Sequence, residues 1–347
     1  MTARKTQRLS ASRPRDLAEA ARLLREGGLV AFPTETVYGL GAHALEPLAV
    51  RAIFAAKGRP SHNPLIVHVA EPARAQALVT EWPASAQTLA DAFWPGPLTL
   101  VLPKTSDVPD EVTAGGPTVA LRCPSHPVAR ELIERVGAPI AAPSANKSEH
   151  VSPTTAAHVL ADLDGRIDAV LDGGQSGLGI ESTVVWLSEG QWRVLRPGSV
   201  TQQQLHDVLG VAPRPDLAQS NVSASSGQGT GAERMPPAAH ASPGLMKRHY
   251  APAGTVRLLD AATLARESDH LMKTQGSLGV LLCGEEVPVP SGAHGMRLPR
   301  DPAGYARGLY AALRDLEELG CAAIAIQAVP EDPSWAAIAD RLQRAAG

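Results

Sequence analysis

Lysine is scarce in this chain: 6 of its 32 basic residues, against 26 arginines. A lysine inside a polar loop, such as Lys57 in Lys57-Gly58-Arg59-Pro60-Ser61-His62-Asn63-Pro64, therefore reads as a choice of chemistry more than of charge. Lys57 offers a point charge and Arg59 a planar fork, the two cation types that hold phosphate oxygens. A solvated helix end, with Gly58 as its stop, accounts for the same string. Arg122 closes the apolar run Thr118-Val119-Ala120-Leu121. A charge placed there must meet an anion, and either a protein or a ligand carboxylate would serve. His68 lies within Leu65-Ile66-Val67-His68-Val69, as a core histidine or as a binding group at the edge of a sheet.

Four loops add polar groups. Phe32-Pro33-Thr34-Glu35-Thr36-Val37-Tyr38-Gly39-Leu40-Gly41 suits close approach of a polar ligand or an ordinary turn. Pro143-Ser144-Ala145-Asn146-Lys147 leaves a short strand carrying a hydroxyl, an amide and an ammonium. Ser152-Pro153-Thr154 reads as the cap of the next helix, whose N-terminus would also attract phosphate. The glycine-rich stretch from Leu171 to Thr183 offers backbone N–H groups to an anion but contains no GxxxxGK[ST]. Arg196-Pro197-Gly198 ends a strand. Tyr250 sits in Pro243-Gly244-Leu245-Met246-Lys247-Arg248-His249-Tyr250-Ala251-Pro252, either a stub at a domain boundary or a segment that folds over a ligand.

The elements that position these groups follow from periodicity. Apolar spacing predicts helices from Asp16 to Leu24, Leu48 to Ala56 and Pro127 to Val136. Short strands are expected at 29–33, 65–69, 98–102, 118–122, 139–142 and 169–171, with a hairpin pairing 183–187 and 192–195. Helices and strands intermix, so the N-terminal part is an α/β unit with a mixed sheet. From about 213 the chain turns rich in Ser, Gly and Ala and cannot bury a core, which predicts a flexible linker. Strands at 255–259, 278–283 and 321–328, with helices at 303–319 and 335–345, predict a small parallel sheet of Rossmann-like outline. No GxGxxG follows its first strand, so dinucleotide binding is not expected. The predicted organisation is 1–212, a linker with a lid segment at 213–254, and 255–347.

Net charge over the 347 residues is −3, and both parts are slightly acidic. Residues 1–212 hold 19 basic and 21 acidic groups, and residues 255–347 hold 9 and 12. Aromatics are only 3%. A protein living on nucleic acid would show a basic excess and stacking residues, so tight nucleic-acid binding is not expected. Cys123, Cys283 and Cys321 are scattered without metal-ligand spacing, which predicts no zinc site and suits a reducing compartment. No apolar run is long enough to span a membrane, and the polar opening segment has no signal core, so a cytoplasmic protein is expected.

Taken together and in this order, FPTETVYGLG, KGRPSHNPL, APSAN, GIESTVV and VLRPG resemble the YrdC-type threonylcarbamoyl-AMP synthases over residues 14–210. HYAP and the C-terminal α/β module are similar to the longer, two-domain form, although this chain reads PGLMKRHYAP where that form has a PGMKYRHYAP-like string. The resemblance implies a YrdC-like catalytic domain that joins L-threonine, bicarbonate and ATP into threonylcarbamoyl-AMP and releases pyrophosphate. Other proteins would then transfer the group to an adenosine beside the tRNA anticodon, so tRNA itself would bind this chain weakly at most. It also implies site residues: Lys57, Arg59, Ser144 and Asn146 as the catalytic set; Thr36, His68, Arg122, Ala142 (through its backbone) and Ser182 for threonine; and Arg59, Asn63, Thr118, Ser144, Ser152, Arg196 and Tyr250 for ATP. Magnesium is implied with the triphosphate, and no metal-binding residue of the protein itself.

Such transfer needs positioning and charge neutralisation more than a covalent nucleophile. Two other readings remain on the residues alone. A non-catalytic RNA-binding protein is disfavoured by charge and aromatic content. A carbamoyl-transfer module, as in hydrogenase maturation proteins, resembles much larger chains with zinc-finger and acylphosphatase parts that this sequence lacks.

Overall fold

The computed structural model describes residues 5–188, 190–213 and 250–347. The N-terminal part is built on a ten-stranded mixed sheet. Its strands in chain order are β1 (Gln7–Ser10), β2 (Val30–Phe32), β3 (Gly39–His43), β4 (Ile66–His68), β5 (Leu98–Pro103), β6 (Thr118–Arg122), β7 (Ile140–Ala141), β8 (Ala169–Asp172), β9 (Thr183–Ser188) and β10 (Gln191–Arg196). In space they run β1-β8-β2-β3-β7-β4-β6-β5-β9-β10. β9 and β10 form the expected antiparallel hairpin, and β4 pairs β6 in parallel.

Strand alternation sorts the core. Val30 and Phe32 pack with α1 (Pro14–Arg25) and α6 (Pro127–Val136), whereas Ala31 faces the opposite cluster, which holds α2 (Pro47–Lys57), α4 (Ala84–Phe93) and α7 (Ala156–Leu163). Three short or late helices, α3 (Pro72–Gln76), α5 (Asp110–Thr113) and α8 (Gln202–Leu209), complete this part. Helix α2 ends where its sequence says it should: Gly58 adopts φ 62° beside Lys57. The cap of α7 corrects one expectation. Thr155, not Ser152, accepts the first-turn N–H, that of His158, because the Ser152 hydroxyl is engaged elsewhere.

The C-terminal part is a fully parallel four-stranded sheet in the order β11-β14-β12-β13. Its strands are β11 (Thr255–Leu259), β12 (Leu278–Cys283), β13 (His294–Leu298) and β14 (Ala323–Gln327). Leu278, Val280 and Leu282 face α9 (Ala261–Gln275), while Leu281 and Cys283 face α10 (Pro302–Glu318) and α11 (Ala336–Ala346). That second cluster also takes in Val37, Val151, Ile180 and Tyr250, so the α10/α11 face docks on the N-terminal part. The three cysteines are buried and unpaired in disulfides. Most of the expected linker, with Lys247 and His249, lies outside the described residues.

Candidate active site

Register places the first two site residues side by side. β4 and β6 align His68 with Arg122 and Ile66 with Ala120. Both polar side chains are buried, 3% exposed. His68 stands edge-on to Phe32, and its Nδ1 has no hydrogen-bond partner among the described residues. Burial, and then the charge of Arg122, depress its pKa to about 3, so the ring is neutral at physiological pH. Arg122 donates from Nη2 to Glu35 Oε1 at 2.7 Å and from Nε to Gly96 O at 3.3 Å. Burial alone would raise the Glu35 carboxyl, but the guanidinium overrides it and holds the group below its ordinary value.

The loop between β2 and β3 turns back on itself. Thr34 Oγ1 donates to Val37 O at 2.6 Å and lies 2.8 Å from Thr36 Oγ1, which brings both threonines to the same wall. Beside it runs the 142–146 segment, held by Ala142 N to Ile66 O, Leu40 N to Pro143 O and Ala145 N to Tyr38 O. Lys57 locks that segment from behind. Its Nζ donates to Ser144 O, Asn146 O and Asn146 Oδ1, and Ser144 Oγ donates to the same Oδ1 at 2.6 Å. Burial pushes the Lys57 pKa well down, yet three oxygens surround its nitrogen, one for each donor of an ammonium.

Arg59 and Arg196 bring two more buried guanidiniums. Arg59 donates to the carbonyls of Asn63 and Pro64. Burial lowers its pKa to about 10, still above neutrality. Arg196 donates from Nε and Nη2 to Ser182 O and from Nη2 to Ser182 Oγ, whose hydroxyl also lies 2.8 Å from Thr99 Oγ1. Gly198 makes this crossing possible: a β-carbon there would sit 2.3 Å from Thr183 N.

These groups line one cavity, whose walls include Thr36, Arg59, His68, Arg122, Ala142, Ser144, Glu181, Ser182, Arg196 and Tyr250 among others. Of the residues expected at the site, Lys57 and Asn146 stand directly behind the wall through Ser144. Ser152 is fully buried and donates to Glu181 Oε1 at 2.6 Å. Asn63 and Thr118 are not among the lining residues. Two acids were overlooked by sequence reasoning. Glu35 and Glu181 stand inside quoted motifs, and their role shows only when each meets an arginine. The demand of Arg122 for an anion was the one available signal. Three arginines against these acids leave the cavity suited to an anionic ligand.

Comparison with known proteins identifies the family. Residues 22–198 match the Sua5/YciO/YrdC family pattern, described as telomere recombination, and residues 200–347 match the threonylcarbamoyl-AMP synthase C-terminal domain. The chain is 42% identical to the threonylcarbamoyl-AMP synthase of Bacillus subtilis, over 99% of this chain and 96% of that one. It superposes on the crystal structure of Pyrococcus abyssi Sua5 complexed with L-threonine with a TM-score of 0.83, at 37% identity, covering 98% of this chain and 97% of that one. A threonylcarbamoyl-AMP synthase of Halorhodospira halophila, 38% identical, matches only 48% of this chain while covering 87% of its own. The chain belongs to the Sua5/YciO/YrdC family, in the form that carries the additional C-terminal domain.

Proposed function

We propose that this chain makes threonylcarbamoyl-AMP from L-threonine, bicarbonate and ATP, with release of pyrophosphate, in the cavity between β2–β3 and the 142–146 segment. The observation that carries the reading is the spread of buried cations around one cavity: Arg122 beside neutral His68, and Arg59 and Arg196 both near Tyr250. In this reading Arg122, using the Nη1 not committed to Glu35 or Gly96, pairs with the threonine carboxylate, and Thr36 and Ser182 hold the rest of the amino acid. Arg59, Ser144 and Arg196 face the nucleotide, with Tyr250 closing that side. Lys57 and Asn146 hold Ser144 in place.

The chemistry follows. The threonine amine attacks carbon dioxide released from bicarbonate, forms a C–N bond and loses a proton. A carbamate oxygen then attacks the α-phosphorus of ATP. The bond from that phosphorus to its bridging oxygen breaks, and pyrophosphate takes the electron pair. Buried guanidiniums neutralise the negative charge that gathers on the phosphates, and burial keeps water from the carbamate. Magnesium would arrive on the triphosphate, which it neutralises. Both acids of the site are engaged by arginines, so the ion would be held by the phosphates.

The product would pass to a separate protein that acylates an adenosine of tRNA. This chain needs no tight hold on nucleic acid, in keeping with its slightly acidic charge. No helix among the described residues is long and apolar enough to cross a membrane. The test is direct: purified protein with ATP, L-threonine, bicarbonate and magnesium should release pyrophosphate and yield the mass of threonylcarbamoyl-AMP. No product, or the same product rate without threonine, would refute the proposal.

A further inference from the structure

Glu181 lines the cavity of the N-terminal part, but two of its three side-chain partners belong to the C-terminal part. Arg341 of α11 donates from Nε to Glu181 Oε2 at 2.9 Å, and Tyr310 of α10 donates its hydroxyl to the same oxygen at 2.9 Å. Ser152 takes the other oxygen. The Arg341 side chain is 0% exposed. Its Nη1 meets Asp340 Oδ2 at 2.7 Å, and its Nη2 is buried with no hydrogen-bond partner among the described residues. Its Cζ lies 5.3 Å from the centre of the Tyr250 ring, and that ring stacks on Tyr310 at 5.7 Å. Tyr250 itself holds φ 63°, a backbone conformation that a bulky side chain adopts only when its surroundings fix it.

Burying a guanidinium this completely is costly, and a merely adhesive contact between two domains would be served as well by apolar residues. What the charge does is visible in its neighbours. Glu181 faces two cations, Arg341 and Arg196. With Arg341 present, the acid is satisfied from the side away from the cavity, and Arg196 stays on the Ser182 wall. Without it, Arg196 would be the one arginine facing Glu181 among the described residues, and the acid would draw it off the Ser182 wall.

We propose that Arg341 is a positioning residue for the nucleotide: acting through Glu181 and Tyr250, it keeps Arg196 available to phosphate and the tyrosine ring in the cavity wall. The inference rests on the nucleotide side of the site being the one bounded by Arg59, Arg196 and Tyr250. It gives the C-terminal domain a part in ATP binding, while the threonine end, with His68 and Arg122, is built from the N-terminal sheet alone.

The test uses full-length protein and ATP-dependent pyrophosphate release. Arg341→Gln should raise the ATP KM about tenfold, the scale of one hydrogen bond to a charged group, and leave the threonine KM within about twofold. Arg341→Lys should restore part of the loss, because it keeps the charge. Unchanged KM values in a folded Arg341→Gln protein, or equal rises for both substrates, overturn the proposal. If Arg341→Gln does not fold, Tyr310→Phe decides, since it removes a single hydroxyl from Glu181. A raised ATP KM with unchanged threonine KM supports the proposal, and an unchanged ATP KM overturns it. Arg59→Ala separates the two levels. If it leaves the ATP KM untouched, the placement of the nucleotide fails and this inference with it. If it raises that KM while the Arg341 and Tyr310 variants do not, only the positioning role falls.

Discussion

Arg122 and Glu35, 87 positions apart in sequence, form a buried ion pair with 2.7 Å between Nη2 and Oε1. The acid orients the guanidinium and leaves one of its nitrogens for a ligand. Arg122→Ala should therefore raise the threonine KM by about 30-fold or more, corresponding to at least ~2 kcal/mol for a lost charge-assisted pair. Glu35→Gln should weaken threonine less, because the arginine survives. Initial-rate kinetics at saturating ATP measure both. A larger rise in the ATP KM than in the threonine KM would reverse the assignment of the two ends.

Lys57 serves three oxygens of one loop, and no single neutral side chain replaces it. Lys57→Met should destabilise the protein by about 2–4 kcal/mol, because it leaves buried neutral acceptors without their donor. Urea unfolding followed by far-UV circular dichroism reads the change. Lys57→Arg should not restore stability, since a planar fork cannot place its donors where the tetrahedral ammonium did.

His68 predicts the acid limb of stability. Its pKa is about 3 in the folded protein and near 6.5 when unfolded, so the folded state binds fewer protons between those values. Stability is complete above pH 6.5 and falls as pH drops toward 3, by about 1.4 kcal/mol per unit from this group. His68→Asn should flatten that slope in urea titrations between pH 6 and 4. An identical slope would mean that the ring is not the group responsible.

His150 predicts the opposite limb. It lies between Asp162 of the N-terminal part, 2.9 Å from Nδ1, and Glu317 of the C-terminal part, 2.8 Å from Nε2. Burial would lower its pKa, but the two carboxylates prevail and raise it to about 9. Its contribution is present below pH 6.5 and lost as pH rises through 9. The melting midpoint should fall between pH 7 and 9.5 in the parent protein and less in His150→Gln. Arg314, which also engages Asp162, is a second bridge across the same seam and does not depend on the histidine's proton.

Much of the scaffold was legible. β6, α6, β11 and β12 fall where periodicity places them, because each has a strong apolar rhythm and clear stops. β3 was hidden by its two glycines, and the structure shows why Gly41 is there: a β-carbon would come within 2.8 Å of the Phe32 ring. β13 is a polar strand, with His294 and Gly295 exposed, and lacks the alternation that reveals a half-buried strand. The arginines and the lysine of the site stood out by residue type. Their partners did not, since an acid in a loop looks solvated until folding brings a guanidinium 87 or 160 positions away against it. Ser152 illustrates the limit: the local pattern reads as a helix cap, and a long-range acid claims its hydroxyl.

Gly179, at φ 80°, passes so near α10 that an added β-carbon would lie 2.4 Å from Ala306 O. The seam between the two halves of the molecule is thus narrower there than a methyl group. Alanine at 179 would act as a shim, prising Tyr310 and Arg341 away from Glu181 while leaving every ionisable side chain in the sequence intact. The spacing of the halves, and with it the reach of the second over the first, is set by one missing carbon.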